Sequence, residues 1–191
     1  MKPLDSTRTG FDFDDVMTDT VAAFLRMARE DYGLRGCRFE DITEFNPKPL
    51  PGAREIQDEI LDAVNRNPLA TGVRPAPGAL GVIARLSANH PVTIVTARPD
   101  PAPVEEWLAY YLGVHAGNVR VLHTGGDHDD KLRHIRAAGL TAFIDDRAET
   151  CVALAAAGID ARVYEKPWNR GRHALPTVRN WDDIAKILFV E

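Results

Sequence analysis

Four short segments, far apart along the chain, carry residue types that could together transfer a phosphoryl group. They contain two carboxylates spaced i, i+2, a threonine, a lysine and an adjacent acidic pair, namely Asp12 and Asp14, Thr96, Lys131, and Asp145 with Asp146. Along an extended strand, side chains i and i+2 point to the same side, so Asp12 and Asp14 would face one site. One carboxylate could attack phosphorus, while its neighbour protonates the leaving oxygen and later deprotonates water.

A divalent metal and a cationic side chain would have to offset the negative charge of such a site. Mg²⁺ prefers oxygen ligands at about 2.1 Å and keeps several waters, so Asp145 and Asp146 could complete its protein ligands. Lys131 could reduce the repulsion between these carboxylates and a dianionic phosphate. The phosphate oxygens could be held by one hydroxyl and two backbone amides, those of Thr96, Ala97 and Arg98.

Each segment also has an interpretation without catalysis. A DxD pair can form a turn, Thr96 can cap a helix, and Lys131 can begin a solvated helix capped by a preceding aspartate. The Arg98 side chain could contact phosphate or pair with a neighbouring acid. The acidic pair after an apolar run is more specific, because buried carboxylates must be metal-bound, solvated or paired. The combination favours a catalytic site.

The apolar periodicity places these residues at the ends of strands. From residue 79 onward, short apolar runs (PVTIVT, NVRVLH, TAFID and ARVY) alternate with helical patterns, and PTVRNWDDIAKIL predicts a closing helix. Such alternation predicts an α/β fold, a Rossmann-like parallel sheet with helices on both faces. In open parallel sheets, ligands bind outside the carboxyl ends of the strands. The polar residues of three segments follow such ends, and Lys131 lies in the loop leaving another strand.

A mainly helical cap is predicted between the first strand and the rest of the sheet. We expect the catalytic core to comprise residues 1–16 and 79–191, and the cap to comprise residues 17–78. Two helical patterns, each with one apolar face, are expected there: Val21, Phe24, Leu25, Ala28 and Tyr32, then Ile56, Ile60, Leu61 and Val64. Between them the proline-rich segment lacks periodicity. Its Phe45 and Asn46 are candidate lid residues over a substrate.

Composition restricts the partners of this protein. The 191 residues carry a net charge of −5 with no basic block, which disfavours a nucleic-acid polymer. No apolar stretch approaches roughly 18 residues, so no membrane association is expected. Two cysteines without metal-ligand spacing indicate a reducing, cytoplasmic location. We expect a monomer or homodimer that binds a small phosphorylated metabolite.

The order DxD, Thr, Lys, DD resembles that of the haloacid dehalogenase superfamily of phosphatases, across the whole core. Within that superfamily, FDFDDVMTD, the TARP of IVTARPD, FIDDRAET, and EKPWNR followed by VRNWDDI resemble the 5′(3′)-deoxyribonucleotidase group and its bacterial relatives. The resemblance implies Asp12 as nucleophile and Asp14 as general acid and base, with Thr96 and Lys131 as stabilising residues. It also implies the Mg²⁺ ligands: Asp12, the backbone carbonyl of Asp14, and Asp146, with Asp145 nearby. Asp15 departs from the family pattern, which usually has glycine there.

These observations predict a Mg²⁺-dependent phosphatase for a small phosphomonoester, with a (deoxy)nucleoside monophosphate favoured, acting through an aspartyl-phosphate. The enzymatic alternative is a phosphatase of the same superfamily for a sugar phosphate or a phosphorylated cofactor. A receiver domain is disfavoured, because receivers carry the acidic pair after the first strand and the lysine last. A non-catalytic binding module is the remaining alternative. His123 and His128 could suggest a transition-metal site, but a polar loop is favoured, and Trp168 could line the site or simply pack.

Overall fold

The predicted parallel sheet is confirmed. The computed structural model describes residues 2–45 and 53–189. Six parallel strands lie in the order β3-β2-β1-β4-β5-β6. Their bounds are β1 Thr9–Phe11, β2 Val92–Thr96, β3 Val119–His123, β4 Ala142–Asp145, β5 Asp160–Tyr164 and β6 Thr177–Val178. The strand β1 is central, so whatever follows it lies between the ends of β2 and β4.

Helices cover both faces of this sheet. Their bounds are α1 Thr20–Glu30, α2 Arg54–Arg66, α3 Ala79–Ser87, α4 Ala102–Leu112, α5 Lys131–Ala137, α6 Ala148–Ala156 and α7 Trp181–Leu188. The helices α3, α4 and α7 pack on one face, in a cluster that includes Ile144 of β4. The neighbouring Phe143 points to the other face and packs with α5 and α6. This alternation is what a strand covered on both sides requires.

The expected closing helix is shorter than its sequence pattern indicated. Thr177–Val178 forms the edge strand β6 and pairs with β5, and the helix begins only at Trp181. Asn180 determines this start, because its side chain accepts a hydrogen bond from the Asp183 amide at 2.9 Å. The part of the prediction that extended the helix back through residue 177 was therefore wrong.

Helices α1 and α2 pack on each other beside the sheet and share a small core. Ala23 and Ala28 of α1 meet Ile60 and Val64 of α2 in that core. The apolar face predicted for α1 is divided between two roles, since Val21 and Phe24 are only half-buried and line a cavity. The predicted lid residue Asn46 lies outside the described residues. No helix in the described ranges is long and apolar enough to cross a membrane.

Candidate active site

The carboxyl ends of β1, β2 and β4 bring the predicted residues together. Phe11 of β1 is in register with Ile94 of β2 and Ile144 of β4. The chain then leaves β1 through Asp12, whose amide donates to the Ile144 carbonyl at 2.9 Å. Asp145 is the last residue of the neighbouring strand β4. Three neighbouring strands that end within two residues of one level therefore place their terminal polar groups close together.

Lys131 joins two of the carboxylates at the centre of this site. Its Nζ lies 2.8 Å from Oδ1 of Asp12 and 2.8 Å from Oδ2 of Asp145, and its side chain is 2% exposed. The lysine reaches this position because it begins α5, directly after the loop that follows β3. A buried ammonium is stable there only because two carboxylates pair with it.

The pKa values of Asp12, Asp146 and Lys131 are all raised, but the cause for the carboxylates differs from the cause for the lysine. Burial raises the pKa of Asp12 to about 7, an effect that Lys131 opposes and Asp145 reinforces. Burial also raises the pKa of Asp146 well above its ordinary value, and Asp145 adds to the increase. For Lys131 burial acts to lower the pKa, but Asp12 and Asp145 outweigh it and raise it. The cluster therefore holds an excess of negative charge that one lysine does not neutralise.

Three carboxylates of this cluster fit a hard divalent cation. Asp12, Asp145 and Asp146 each offer a ligand atom, these atoms lie within 4.8 Å of one another, and all three residues are buried. Ligands at about 2.1 Å on opposite sides of Mg²⁺ would be about 4.2 Å apart, so one ion could bridge such a set. An all-oxygen donor set suits Mg²⁺ better than a softer metal.

Trp168 and Asn169 fix the orientation of Asp146. The Trp168 indole Nε1 donates to Oδ2 of Asp146 at 2.8 Å. The Asn169 amide donates to the Asp146 carbonyl at 2.7 Å and to the Tyr164 carbonyl at 2.8 Å. Of the two roles considered for Trp168, the structure combines both, since the residue is buried and its indole bonds to the site. In the sequence, the position of Asn169 after the last long strand was the one feature that suggested a place near the site.

Asp14 faces an arginine rather than the lysine. Both carboxylate oxygens accept from Arg98, Oδ1 from Nη2 at 2.7 Å and Oδ2 from Nε at 2.9 Å. The Thr20 hydroxyl donates to the same Oδ1 at 2.6 Å. Burial acts to raise the pKa of Asp14, but the Arg98 guanidinium outweighs it and lowers the pKa. Of the two roles considered for Arg98, pairing with an acid is the one that this conformation contains.

The position where the family usually has glycine needs an unusual backbone. Asp15 has φ of 54° and is the non-glycine residue with positive φ among those described. Its carboxylate accepts from the Val21 amide at 3.1 Å and so caps the first turn of α1. Burial raises the pKa of Asp15 to about 7, partly opposed by Lys166. Asp19, the residue directly before α1, makes no side-chain capping bond, so Asp15 takes this role.

A cavity of about 550 Å³ opens from the carboxylates towards α1 and α2. Asp12, Asp14, Asp146 and Ala97 line its floor, and apolar side chains line part of its walls: Val21, Phe24, Ile42, Phe45 and Leu61. The Phe45 ring packs edge-on against His128 at 5.3 Å between centroids. The cavity thus has an anionic, metal-compatible end and an apolar end.

Thr96 lies beneath this floor, with no exposed surface. Its hydroxyl accepts from the Arg98 amide at 3.2 Å, which shapes the turn after β2 and directs the chain past Ala97. Contact between Thr96 and a phosphate remains a prediction, as do the contacts expected of Arg98 and Lys131.

Comparison with known proteins places this arrangement in a family context. Residues 7–191 match the family model described as 5′ nucleotidase, deoxy (Pyrimidine), cytosolic type C protein. No curated protein matches the chain.

Solved structures share the fold at low sequence identity. A candidate phosphoglycolate phosphatase of Lactobacillus plantarum is similar with a TM-score of 0.65 and 16% identity, over 98% of this chain and 100% of that one. A haloacid dehalogenase-like hydrolase of Streptococcus pneumoniae is similar with a TM-score of 0.61 and 14% identity, over 94% of this chain and 97% of that one. A candidate hydrolase of that superfamily from Bacillus subtilis, bound to magnesium, is similar with a TM-score of 0.58 and 14% identity, over 98% of this chain and 99% of that one.

Proposed function

The chain belongs to the family described as 5′ nucleotidase, deoxy (Pyrimidine), cytosolic type C protein, which makes it a phosphoric monoester hydrolase, and we propose that it is a Mg²⁺-dependent nucleoside monophosphatase. The proposed substrate is a deoxynucleoside or ribonucleoside monophosphate, bound in the cytoplasm. The observation that carries the proposal is the cluster of Asp12, Lys131 and the Asp145–Asp146 pair, of which Asp12 and Asp146 line the floor of one cavity.

Asp12 is the proposed nucleophile. One of its carboxylate oxygens attacks phosphorus, and the bond from phosphorus to the nucleoside oxygen breaks. Asp14 gives a proton to that oxygen, so the nucleoside leaves as a neutral alcohol. In the second step, water attacks the aspartyl-phosphate, Asp14 accepts the proton from water, and the Asp12 carboxylate is released together with inorganic phosphate. Each step leaves the charge and the atoms balanced.

Charge compensation decides whether a dianionic phosphate can approach Asp12. Lys131 holds Asp12 and Asp145 at 2.8 Å each, so its positive charge lies beside the attacking oxygen throughout the reaction. Mg²⁺, held by Asp12, Asp145 and Asp146, would supply the remaining positive charge and orient the phosphate oxygens. The amide of Ala97, on the cavity floor, and the turn fixed by Thr96 would receive the other phosphate oxygens.

The apolar half of the cavity supports a nucleoside rather than a strongly polar leaving group. Phe24 and Phe45 line it, and the walls of the cavity also include Arg54, Gln57 and Asp58. Aromatic side chains can stack on a flat base at about 1–3 kcal/mol per base. Removing the Phe45 ring, as Phe45→Ala, should therefore raise KM for nucleotides and leave kcat within a few-fold, since the reacting groups stay in place.

Phosphate release from a panel of substrates tests this proposal. The panel comprises 2′-deoxynucleoside and ribonucleoside monophosphates and sugar phosphates, each with Mg²⁺ and with a chelator. We expect release from nucleotides that disappears with the chelator and with Asp12→Asn. Hydrolysis confined to sugar phosphates would contradict the proposed substrate and keep the chemistry. Mg²⁺-independent release by Asp12→Asn at the wild-type rate would overturn the mechanism itself.

A further inference from the structure

One face of α2 forms a wall of the cavity, and most of its side chains are polar. Positions three and four apart on a helix share a face. The residues of α2 that line the cavity follow this spacing: Arg54, Gln57, Asp58, Leu61, Val64 and Asn65. The helix therefore offers the cavity hydrogen-bonding groups as well as apolar surface.

The two ends of this face meet different parts of the cavity. Arg98, which binds Asp14 on the floor, also donates from Nη1 to the carbonyls of Val64 and Asn65 at 3.0 Å each. The carboxyl end of α2 is therefore fastened close to the acidic floor. Asp58 lies nearly two helical turns earlier, about 10 Å from that fastened end at 1.5 Å per residue. A nucleotide whose phosphate occupied the floor would present its base to this part of the wall.

Asp58 differs from the next acid of the same helix in its partners. Asp62, one turn later, is paired, since its Oδ1 lies 2.9 Å from Nε of Arg66. The Asp58 carboxylate forms no ion pair or hydrogen bond within residues 2–45 and 53–189, although Arg54 lies one turn before it on the same wall. A carboxylate accepts hydrogen bonds and donates none, so Asp58 suits a donor on the ligand.

Gln57 adds a second polar group beside Asp58. Its Oε1 is buried and lacks a hydrogen-bond partner in the described part of the chain. Because no such bond holds the amide, it can turn about its terminal torsion, which is broad for glutamine. The turned amide donates through Nε2 and accepts through Oε1, so it adapts to an amino group or to a carbonyl. Gln57 can therefore add affinity for a base, whereas discrimination between bases falls to Asp58.

We propose that Asp58 reads the edge of the base and favours a base with an exocyclic amino group over one with a carbonyl at that position. This inference rests on the proposed function, in which the cavity binds a nucleoside monophosphate. An amino group donates to the carboxylate, whereas a carbonyl oxygen would meet it as a second acceptor. Phe24 and Phe45 do not make this distinction, because every base has a π-face on which an aromatic ring can stack. Arg54 only donates, and the carbonyl at C2 that cytosine and uracil share gives it the same partner in both.

Cytidine and uridine 5′-monophosphates test the inference, because they differ in one exocyclic group on rings of equal size. The quantity measured is the ratio of their kcat/KM values with Mg²⁺, for the ribonucleotides and for the 2′-deoxynucleotides. We expect the wild-type protein to favour cytosine by about 10-fold, at the low end for a hydrogen bond to a charged group because Asp58 is exposed. The difference should appear mainly in KM, since the base is remote from the reacting phosphorus.

Three variants separate the roles of the residues on this wall. Asp58→Asn should bring the ratio close to one, because an amide both donates and accepts. Gln57→Leu should lower kcat/KM for both nucleotides and leave their ratio in place. Asp62→Asn is the matched control, since it makes the same exchange on the same helix at an acid paired with Arg66. It should keep the wild-type ratio.

A wild-type ratio near one would overturn the inference, and so would a ratio that Asp58→Asn leaves unchanged. Preference for uridine would overturn it as well and would assign the reading of the base to a donor such as Arg54. If the wild-type protein hydrolyses neither nucleotide, the proposed function fails and the inference fails with it. That result differs from hydrolysis of both nucleotides without discrimination, which removes only the role of Asp58.

Discussion

The indole Nε1 of Trp168 donates a hydrogen bond to Oδ2 of Asp146 at 2.8 Å, within the buried acidic cluster. This bond fixes the orientation of the Asp146 carboxylate, one of the three that could hold a metal. Groups that orient a metal ligand in this way commonly affect metal affinity by about 10–100-fold. Trp168 also packs edge-on against Phe39, at 5.6 Å between ring centres, so its ring and its N–H group have separable roles.

Trp168→Phe should weaken Mg²⁺ binding by about 10-fold, because the ring is retained while Asp146 loses its donor. The measurement is the Mg²⁺ concentration at half-maximal phosphatase activity, supported by calorimetric titration of the apo-protein. Trp107→Phe is the control, since the Trp107 indole donates to the Val73 carbonyl at 2.8 Å, away from the acidic cluster. Equal Mg²⁺ requirements of Trp168→Phe and the wild-type protein would contradict the prediction.

Lys131→Met should abolish most activity and destabilise the fold. Without the ammonium, Asp12 and Asp145 would be buried carboxylates that no other cation among the described residues contacts as closely. Breaking a buried pair in this way costs about 3–5 kcal/mol of unfolding free energy, and loss of the charge at the reacting oxygen costs at least about 100-fold in kcat.

Added Mg²⁺ should restore part of the lost stability of Lys131→Met, because the ion neutralises the same carboxylates. Thermal unfolding with and without Mg²⁺ measures this effect, and the increase in Tm should exceed that of the wild-type protein. Lys186→Met, at an exposed lysine 3.7 Å from Asp183, controls for removal of one positive charge. A smaller Mg²⁺ response in Lys131→Met would argue against a metal between these carboxylates.

The positions of the acidic residues could be predicted from sequence, whereas their partners could not. Asp12 and Asp145 follow apolar runs, and strand ends of a parallel sheet meet at one edge, so their convergence follows from local patterns. The pairing of Arg98 with Asp14 joins residues 84 positions apart. It depends on where α2 ends above the sheet, and hydrophobic periodicity along α2 does not determine that position.

Periodicity also could not separate a wall of a cavity from a buried core. The pattern of α1 identified a helix with one apolar face, and the helix is present. Phe24 and Val21 are apolar yet line the cavity, while the fully buried core positions of α1 are the small residues Ala23 and Ala28, against which Phe24 also packs. An apolar side chain beside a ligand cavity and one in a core have the same sequence signature.

Asp15→Gly should be more stable than Asp15→Ala by about 1 kcal/mol, because φ of 54° is costly for any residue with a Cβ. Both variants lose the carboxylate that caps the Val21 amide, so their difference isolates the backbone term. Urea unfolding of the two variants and the wild-type protein gives the comparison. Greater stability of Asp15→Ala would contradict the assignment of a strained backbone at this position.

His128→Gln should make the protein less sensitive to acid. Burial, with Lys131 and Arg147 nearby, holds the pKa of His128 below its ordinary value of 6.5. The unfolded chain therefore binds this proton at higher pH than the folded protein does. The free energy of unfolding falls with decreasing pH wherever the unfolded state binds more protons than the folded state. His128 therefore begins to lower the stability of the folded protein near pH 6.5. Its effect stops growing once the pH is below the pKa of His128 in the folded protein.

The measurement for this prediction is urea unfolding of the metal-free protein at several pH values between about 7.5 and 5, the window set by the ordinary and the lowered pKa of His128. His128→Gln should lose less unfolding free energy across that range than the wild-type protein, and the two should run parallel above it. Because the ring packs on Phe45, glutamine will also remove an apolar contact, but that loss is independent of pH and shifts the whole curve. The variant His123→Gln, at an exposed histidine at the end of β3, controls for the loss of one histidine. Curves for His128→Gln and wild type that stay parallel through pH 5 would show that His128 carries no lowered pKa.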